Sequence, residues 1–223
     1  METNNKKSVL KKAVVWKDLY FYRKSDTIYQ LTVEFCKRYL PHYGDRTVDQ
    51  MVQGARSGKQ NIVEGSEDGL TSSEMEINLL NIARGSLQEL RANYHDYLNT
   101  HHLQLWTVDN ERLKRLRKFT HSHNDYDAYA PFVGKMNDEE MANLILTLCH
   151  QTDKMMCAYI KKLEERFEKE GGIKERMYAV RTGYRQQQDA YLHSLEAHNR
   201  NLKAENDALK REMEELMKKG KDF

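Results

Sequence analysis

Proline is almost missing. Pro41 and Pro131 are the two in 223 residues, so a chain rich in Leu, Glu, Lys, Arg, Gln and Met meets few helix breakers and an all-α protein is expected. Cysteine is scarce too. Cys36, Cys149 and Cys157 are odd in number, sit inside apolar helical patterns and lack the paired spacing of zinc or redox motifs, which suits a reducing cytoplasm. Long hydrophobic runs are absent. The basic N-terminus offers only Val9, Leu10 and then Ala13 to Trp16 as apolar patches, too short for a signal-peptide core, and no later run approaches about 18 apolar residues. No membrane targeting or spanning is expected. An excess of one charge is lacking as well: charged residues are 31% of the chain but cancel to +2, so any nucleic-acid affinity has to come from local clusters.

Two such clusters stand out. In the N-terminal arm, over residues 1–25, Lys6, Lys7, Lys11, Lys12, Lys17, Arg23 and Lys24 face only Glu2 and Asp18. The second cluster is Arg112, Lys114, Arg115, Arg117 and Lys118. On a helix Arg112 and Arg115 share one face, Lys114, Arg117 and Lys118 share another, and Leu113 and Leu116 mark the buried side. Such a helix can track phosphates, although a merely soluble surface explains it equally well. The arm's Trp16, Tyr20, Phe21 and Tyr22 could stack bases between cations, yet anchoring the arm on the protein is the preferred role.

Apolar spacing of three and four marks the helices. The first is expected from Asp26 to Leu40, with Ile28, Leu31, Thr32, Phe35, Cys36 and Tyr39 on one face; Pro41 and Gly44 stop it. The second starts near Asp45 or Thr47 and ends at Gly65, and its Gly54, Ala55 and Gly58 remove bulk so that a neighbouring backbone can approach closely. Thr71 and Glu74 have capping-box spacing at the start of a third helix, striped by Leu79, Leu80, Ala83, Leu87, Leu90, Tyr94, Tyr97 and Leu98. A short basic helix from Asn110 to Phe119 and a loop from His121 to Met136 form an insert at about residues 106–137. Asn137 or Asp138 then caps a fourth long helix, striped from Met141 and Leu144 through Met156 to Phe167 and ended by Gly171 and Gly172. Four amphipathic helices over residues 26–170 make an up-and-down four-helix bundle the expected architecture.

Residues 171–190 read as a helical connector, and a leucine heptad occupies 191–223. Placing Leu195, Leu202, Leu209 and Leu216 at d puts Leu192, Asn199, Asn206 and Met213 at a, while Glu205 at g precedes Lys210 at e by five residues. That pattern suits a parallel two-stranded coiled coil. Asn at a costs stability and imposes register.

The segments Tyr29-Gln30-Leu31-Thr32, Asp45-Arg46-Thr47-Val48-Asp49-Gln50-Met51, Ala55-Arg56-Ser57 and Gln60-Asn61-Ile62-Val63-Glu64-Gly65, followed by Leu80-Asn81-Ile82-Ala83-Arg84-Gly85-Ser86-Leu87-Gln88-Glu89-Leu90, form an ordered set. In them the chain resembles the four-helix bundle proteins first known from 23S rRNA intervening sequences. Trp106, His150-Gln151 and Gly171-Gly172-Ile173-Lys174-Glu175-Arg176-Met177 resemble the subset with a C-terminal suffix region, so the likeness covers about residues 26–180. It implies a helical bundle. The accessory variability determinant of diversity-generating retroelements, a similar protein, implies more: a pentameric ring that binds nucleic acid and partners a reverse transcriptase. This chain is less basic and adds the suffix and zipper, and no nucleic-acid-contacting residue carries over. Five bundles and a two-stranded zipper would have mismatched symmetry.

Catalytic patterns are missing. There is no Ser, His and acid arrangement, glycine-rich phosphate loop or helical His-Glu-x-x-His. His121, His123, Asp125 and Asp127 resemble a metal cluster, but a solvated loop is the better account, and no metal or cofactor is expected. Cys149 beside His150 reads as a buried helix position, and Glu64, Glu67 and Asp68 as a solvated connector. The expected function is a non-catalytic oligomeric adaptor that holds RNA, DNA or a nucleic-acid enzyme such as a reverse transcriptase through basic surfaces, with Lys11, Lys12, Lys17 and the Arg112 to Lys118 cluster as contacts. The alternative is a purely structural assembly protein whose coiled coil chooses the partner.

Overall fold

The computed structural model describes residues 10, 14–41 and 46–219, and their side chains except at 215–219. Among the described residues the protein is all-helical, with no strand. It divides into two compact units, one over Leu10–Ile173 and one that holds the chain from Lys174 onward.

In the first unit four long helices enclose one core: α1 (Tyr20–Tyr39), α2 (Arg46–Asp68), α3 (Ser73–Thr100) and, after an insert, α6 (Asp138–Glu170). α2 packs on α1 and α3, and α6 packs on α1 and α3, so the four close a ring of contacts. Each contributes the stripe its spacing dictates. Ile28, Leu31 and Phe35 of α1 meet Met51, Ala55 and Ile62 of α2, Leu80, Leu87 and Leu90 of α3, and Leu144, Leu148 and Met156 of α6. Tyr94 is buried among them, and its hydroxyl donates to Thr32 Oγ1 at 3.1 Å, which satisfies a polar group that would be costly to bury alone. Asn137 caps α6 with a reciprocal bond to Glu140, and Gly171 ends it at φ 68°, the left-handed region that glycine adopts without strain.

The small residues of α2 lie against α3. A Cβ on Gly58 would fall 2.9 Å from Leu87 Cγ and Cδ2, so glycine there sets how closely the two helices approach. The Ser57 and Ser86 hydroxyls meet across the same seam at 3.1 Å.

Four expectations shift, the first being the end of α2, which runs past Gly65 to Asp68. α1 starts at Tyr20 rather than Asp26, because Phe21, Lys24 and Ser25 are buried and extend its packed face past the point where the hydrophobic pattern stops. Its N-terminal turns therefore belong to the core unit and not to an arm. Ser72, not Thr71, caps α3, accepting from Met75 N at 3.1 Å. The stretch from His121 to Met136 is not plain loop: α4 (Glu111–Ser122) runs into it, and a 3-10 turn (Tyr126–Ala128) and the one-turn α5 (Ala130–Val133) follow.

α1 holds that stretch by its side chains. Lys24 Nζ donates to the carbonyls of Thr120 and His123, Thr27 Oγ1 to Asn124 O at 2.8 Å, Arg38 to the carbonyls of Val133 and Met136, and Tyr39 Oη to Met136 O at 2.7 Å. Five backbone carbonyls, those of Thr120, His123, Asn124, Val133 and Met136, are thus satisfied from one helix.

In the second unit α7 (Ile173–Lys219) is one continuous helix that spans both the connector and the zipper region. Leu192, Leu195, Leu202, Leu209 and Met213 are 39% to 58% exposed along it. Asn199 and Asn206 are exposed between them. The side chain of Leu216 lies outside the described residues.

A candidate nucleic-acid interface on the basic helix

Asn110 starts α4 by accepting from Arg112 N at 2.8 Å, and the helix packs on α6 through buried Leu113 and half-buried Leu116. Burying that side turns every cation of the helix outward. Arg112, Lys114, Arg115, Arg117 and Lys118 are all exposed. Lys114 pairs with Glu111 at 2.7 Å, a surface contact worth little.

Arg112 and Arg115 border a groove of about 680 Å³ whose lining also includes Trp106, Phe119, Phe132, Met136, Lys135 and Glu140. Trp106 is fixed by two bonds to α6: its indole Nε1 donates to Glu139 Oε1 at 2.9 Å and its main-chain N to Asn143 Oδ1 at 2.8 Å. The Arg112 guanidinium sits 5.8 Å from the Trp106 ring centre, within cation–π range. Phe119 meets Phe132 edge to face at 6.2 Å, and Phe132 remains 48% exposed. An apolar floor with cations on its rim can receive a flat ring and hold the phosphate attached to it.

The aromatic half of this groove escapes a reading of the sequence. Trp106, Phe119 and Phe132 come from the segment before α4, from α4 itself and from α5, and no periodic pattern links them. The available signal is compositional: aromatics within a short insert that also holds six Lys and Arg residues.

A second hollow, of about 1070 Å³, lies between α1, the α4–α5 connection and α6, and is lined by Tyr20, Arg23, Lys24, His121, His123, Asp125, Lys154 and neighbours. Its charges are mostly engaged. Arg23 makes a two-pronged contact with Asp125, which holds that carboxyl below its ordinary range. Lys24 is 2% exposed and burial lowers its pKa to about 8. Neither is a surface cation of an arm, contrary to their place in the N-terminal basic cluster. His123 stacks on Phe119 at 4.1 Å. Among the described residues no group of three or more His, Cys, Asp and Glu side chains is placed to hold a metal.

Of the remaining arm residues, Lys17 lies 5.2 Å from the Trp16 ring and Trp16 packs edge-on to Tyr22 at 4.6 Å. Lys11 and Lys12 lie outside the described residues. Cys149 is fully buried and its thiol is pushed up to about 12 by desolvation, which leaves little thiolate near neutrality. No helix among the described residues is long and apolar enough to cross a membrane.

Compared with protein-family models, curated proteins and solved structures, the chain matches none.

Proposed function

We propose that this chain is a non-catalytic adaptor: an up-and-down four-helix bundle, of the kind first known from 23S rRNA intervening sequences, that holds nucleic acid on the α4 surface and self-associates through α7. The observation that carries the reading is the groove in which Arg112 and Arg115 rim an aromatic floor of Trp106, Phe119 and Phe132. Exposed Lys114, Arg117 and Lys118 on the same helix extend the positive surface past that floor. Stacking is tolerant of base identity, so such a surface suits unpaired RNA or DNA. A reverse transcriptase or another enzyme of nucleic acid is the partner class that such an adaptor would serve in the cytoplasm.

Self-association rests on the exposed Leu192, Leu195, Leu202, Leu209 and Met213, whose a and d spacing matches a two-stranded coil. The same leucines favour the second reading, a structural assembly protein whose coil chooses the partner. Mobility shift of the full chain with RNA and single-stranded DNA over a salt series separates the two. The adaptor binds and weakens steeply with salt; absence of salt-sensitive binding leaves the assembly reading.

A further inference from the structure

Arg91 and His95 stand four residues apart on α3 and so share a face. His150 on α6 comes up to them: Arg91 Nη2 lies 3.1 Å from His150 Nε2. A guanidinium has donors only, so this is a hydrogen bond while Nε2 is unprotonated and the ring proton sits on Nδ1. Arg117 of α4 is close by: its carbonyl accepts from Gln151 Nε2 at 3.4 Å, one residue from His150.

The neighbourhood is short of negative charge. Burial, and then the positive charges of Arg91, His95 and Arg117, hold the His150 pKa below its ordinary value. Asp153 acts in the opposite sense, but its Oδ1 already accepts from Arg84 Nε at 2.8 Å. Arg91 Nε is buried with no hydrogen-bond partner. Cationic and protonatable groups gathered without a paired anion repel one another, and an anion against Arg91 Nη2 would relieve the crowding.

We propose that Arg91, His95, His150 and Arg117 form a binding site for a phosphate group, where α6 is flanked by α3 and α4. Arg91 Nη2, at its exposed contact with His150, donates to a phosphate oxygen. His150 then changes role. Released from accepting, its ring takes a proton from solvent and donates to the anion through Nε2, so the bound state favours imidazolium. His95 and Arg117 add charge without changing partners. The site stands on these contacts and does not require the adaptor reading.

The test follows the His150 ring resonance of the full chain by NMR, identified with His150→Gln, through a pH titration in chloride and in sulfate of equal ionic strength. Sulfate stays divalent across the range, so its own titration does not intrude. Binding is expected to raise the His150 pKa by about 1 or more. Arg91→Gln removes a like charge, so in chloride His150 should titrate higher than in the wild type, and sulfate affinity should fall about tenfold or more. Arg117→Gln, at an exposed position, should reduce the sulfate response with the fold unchanged, which guards against a folding defect in the Arg91 variant. Inorganic phosphate and a single-stranded oligonucleotide are then tested as sources of the group. A rise with the oligonucleotide joins the site to the nucleic-acid surface; a rise with sulfate and phosphate alone assigns it to a small phosphate-bearing ligand and leaves nucleic-acid binding to the mobility shift. An unchanged His150 titration with all three anions overturns the site.

Discussion

Lys24 Nζ on α1 donates to the main-chain carbonyl of His123 at 3.0 Å, and also to that of Thr120, so one buried ammonium caps the C-terminal end of α4. Carbonyls at the end of a helix have no partner within it, and a cation there also meets the negative end of the helix dipole. The orientation of the basic helix thus depends on a side chain about a hundred residues away.

This capping carries a pH signature. Burial lowers the Lys24 pKa to about 8 from 10.5, so between those values the unfolded chain binds more protons and stability contributed by Lys24 rises with pH. The buried Cys149 thiol, pushed up from 9.0 to about 12, works the other way at higher pH, and Tyr94, raised well above 10.0, follows it, which confines the clean window to about pH 8 to 9. Lys24→Met should cost about 1–3 kcal/mol at pH 7 through the two orphaned carbonyls. Urea unfolding at about pH 7 and 9 should show the wild type gaining on the order of 1–2 kcal/mol relative to the variant; parallel pH dependences would mean that Lys24 is not desolvated.

Gly58 and Gly85 make a matched pair for the α2–α3 seam. A Cβ at Gly58 would press on Leu87, a residue with 1% exposure, while a Cβ at Gly85 meets nothing within 4 Å. Gly85→Ala should therefore stabilise by about 1 kcal/mol through helix propensity. Gly58→Ala gains the same propensity but overpacks the seam, for a net loss of about 1–2 kcal/mol. Thermal melts of both variants decide, and equal stabilisation would show that the helices have slack.

Lys24 and Gly58 also show what a sequence can reveal. The stripes of α3 and α6, from Leu80 to Leu98 and from Met141 to Leu163, are legible because each position meets the core at a regular period. Gly54, Ala55 and Gly58 signal close approach by their small size alone. The start of α1 is not legible: Lys24 reads as a surface cation, and only the distant carbonyls of α4 explain its burial. The connector after α4 reads as loop for the same reason, since Thr27, Arg38 and Tyr39 order it from α1. The candidate site divides in the same manner. Its cations form a run along the chain; its aromatics meet only in space, and Arg91 and His150 are joined across 59 residues.

The Asn residues at a make a separate prediction for α7. Asn199 and Asn206 should hold the coil to two strands in register. Replacing both with Ile should raise the melting temperature of the coil and admit larger oligomers in sedimentation equilibrium. Leu202→Asp should do the opposite and release monomers. If neither change alters the measured mass, α7 is a helical tail and not the element that sets assembly.

The adaptor account meets its most direct test in equilibrium binding to a single-stranded RNA over a salt series, with the wild type set beside a variant in which Arg112, Lys114, Arg115, Arg117 and Lys118 are all changed to Gln. Each cation that binds a phosphate should, once neutralised, lower the slope of log affinity against log salt by about 1, and Phe132→Ala should weaken binding by about 1–3 kcal/mol with the slope unchanged. Weaker binding with a shallower slope is the predicted result. Identical affinity and slope for the wild type and the neutralised chain would contradict the claim that α4 is the surface that holds nucleic acid.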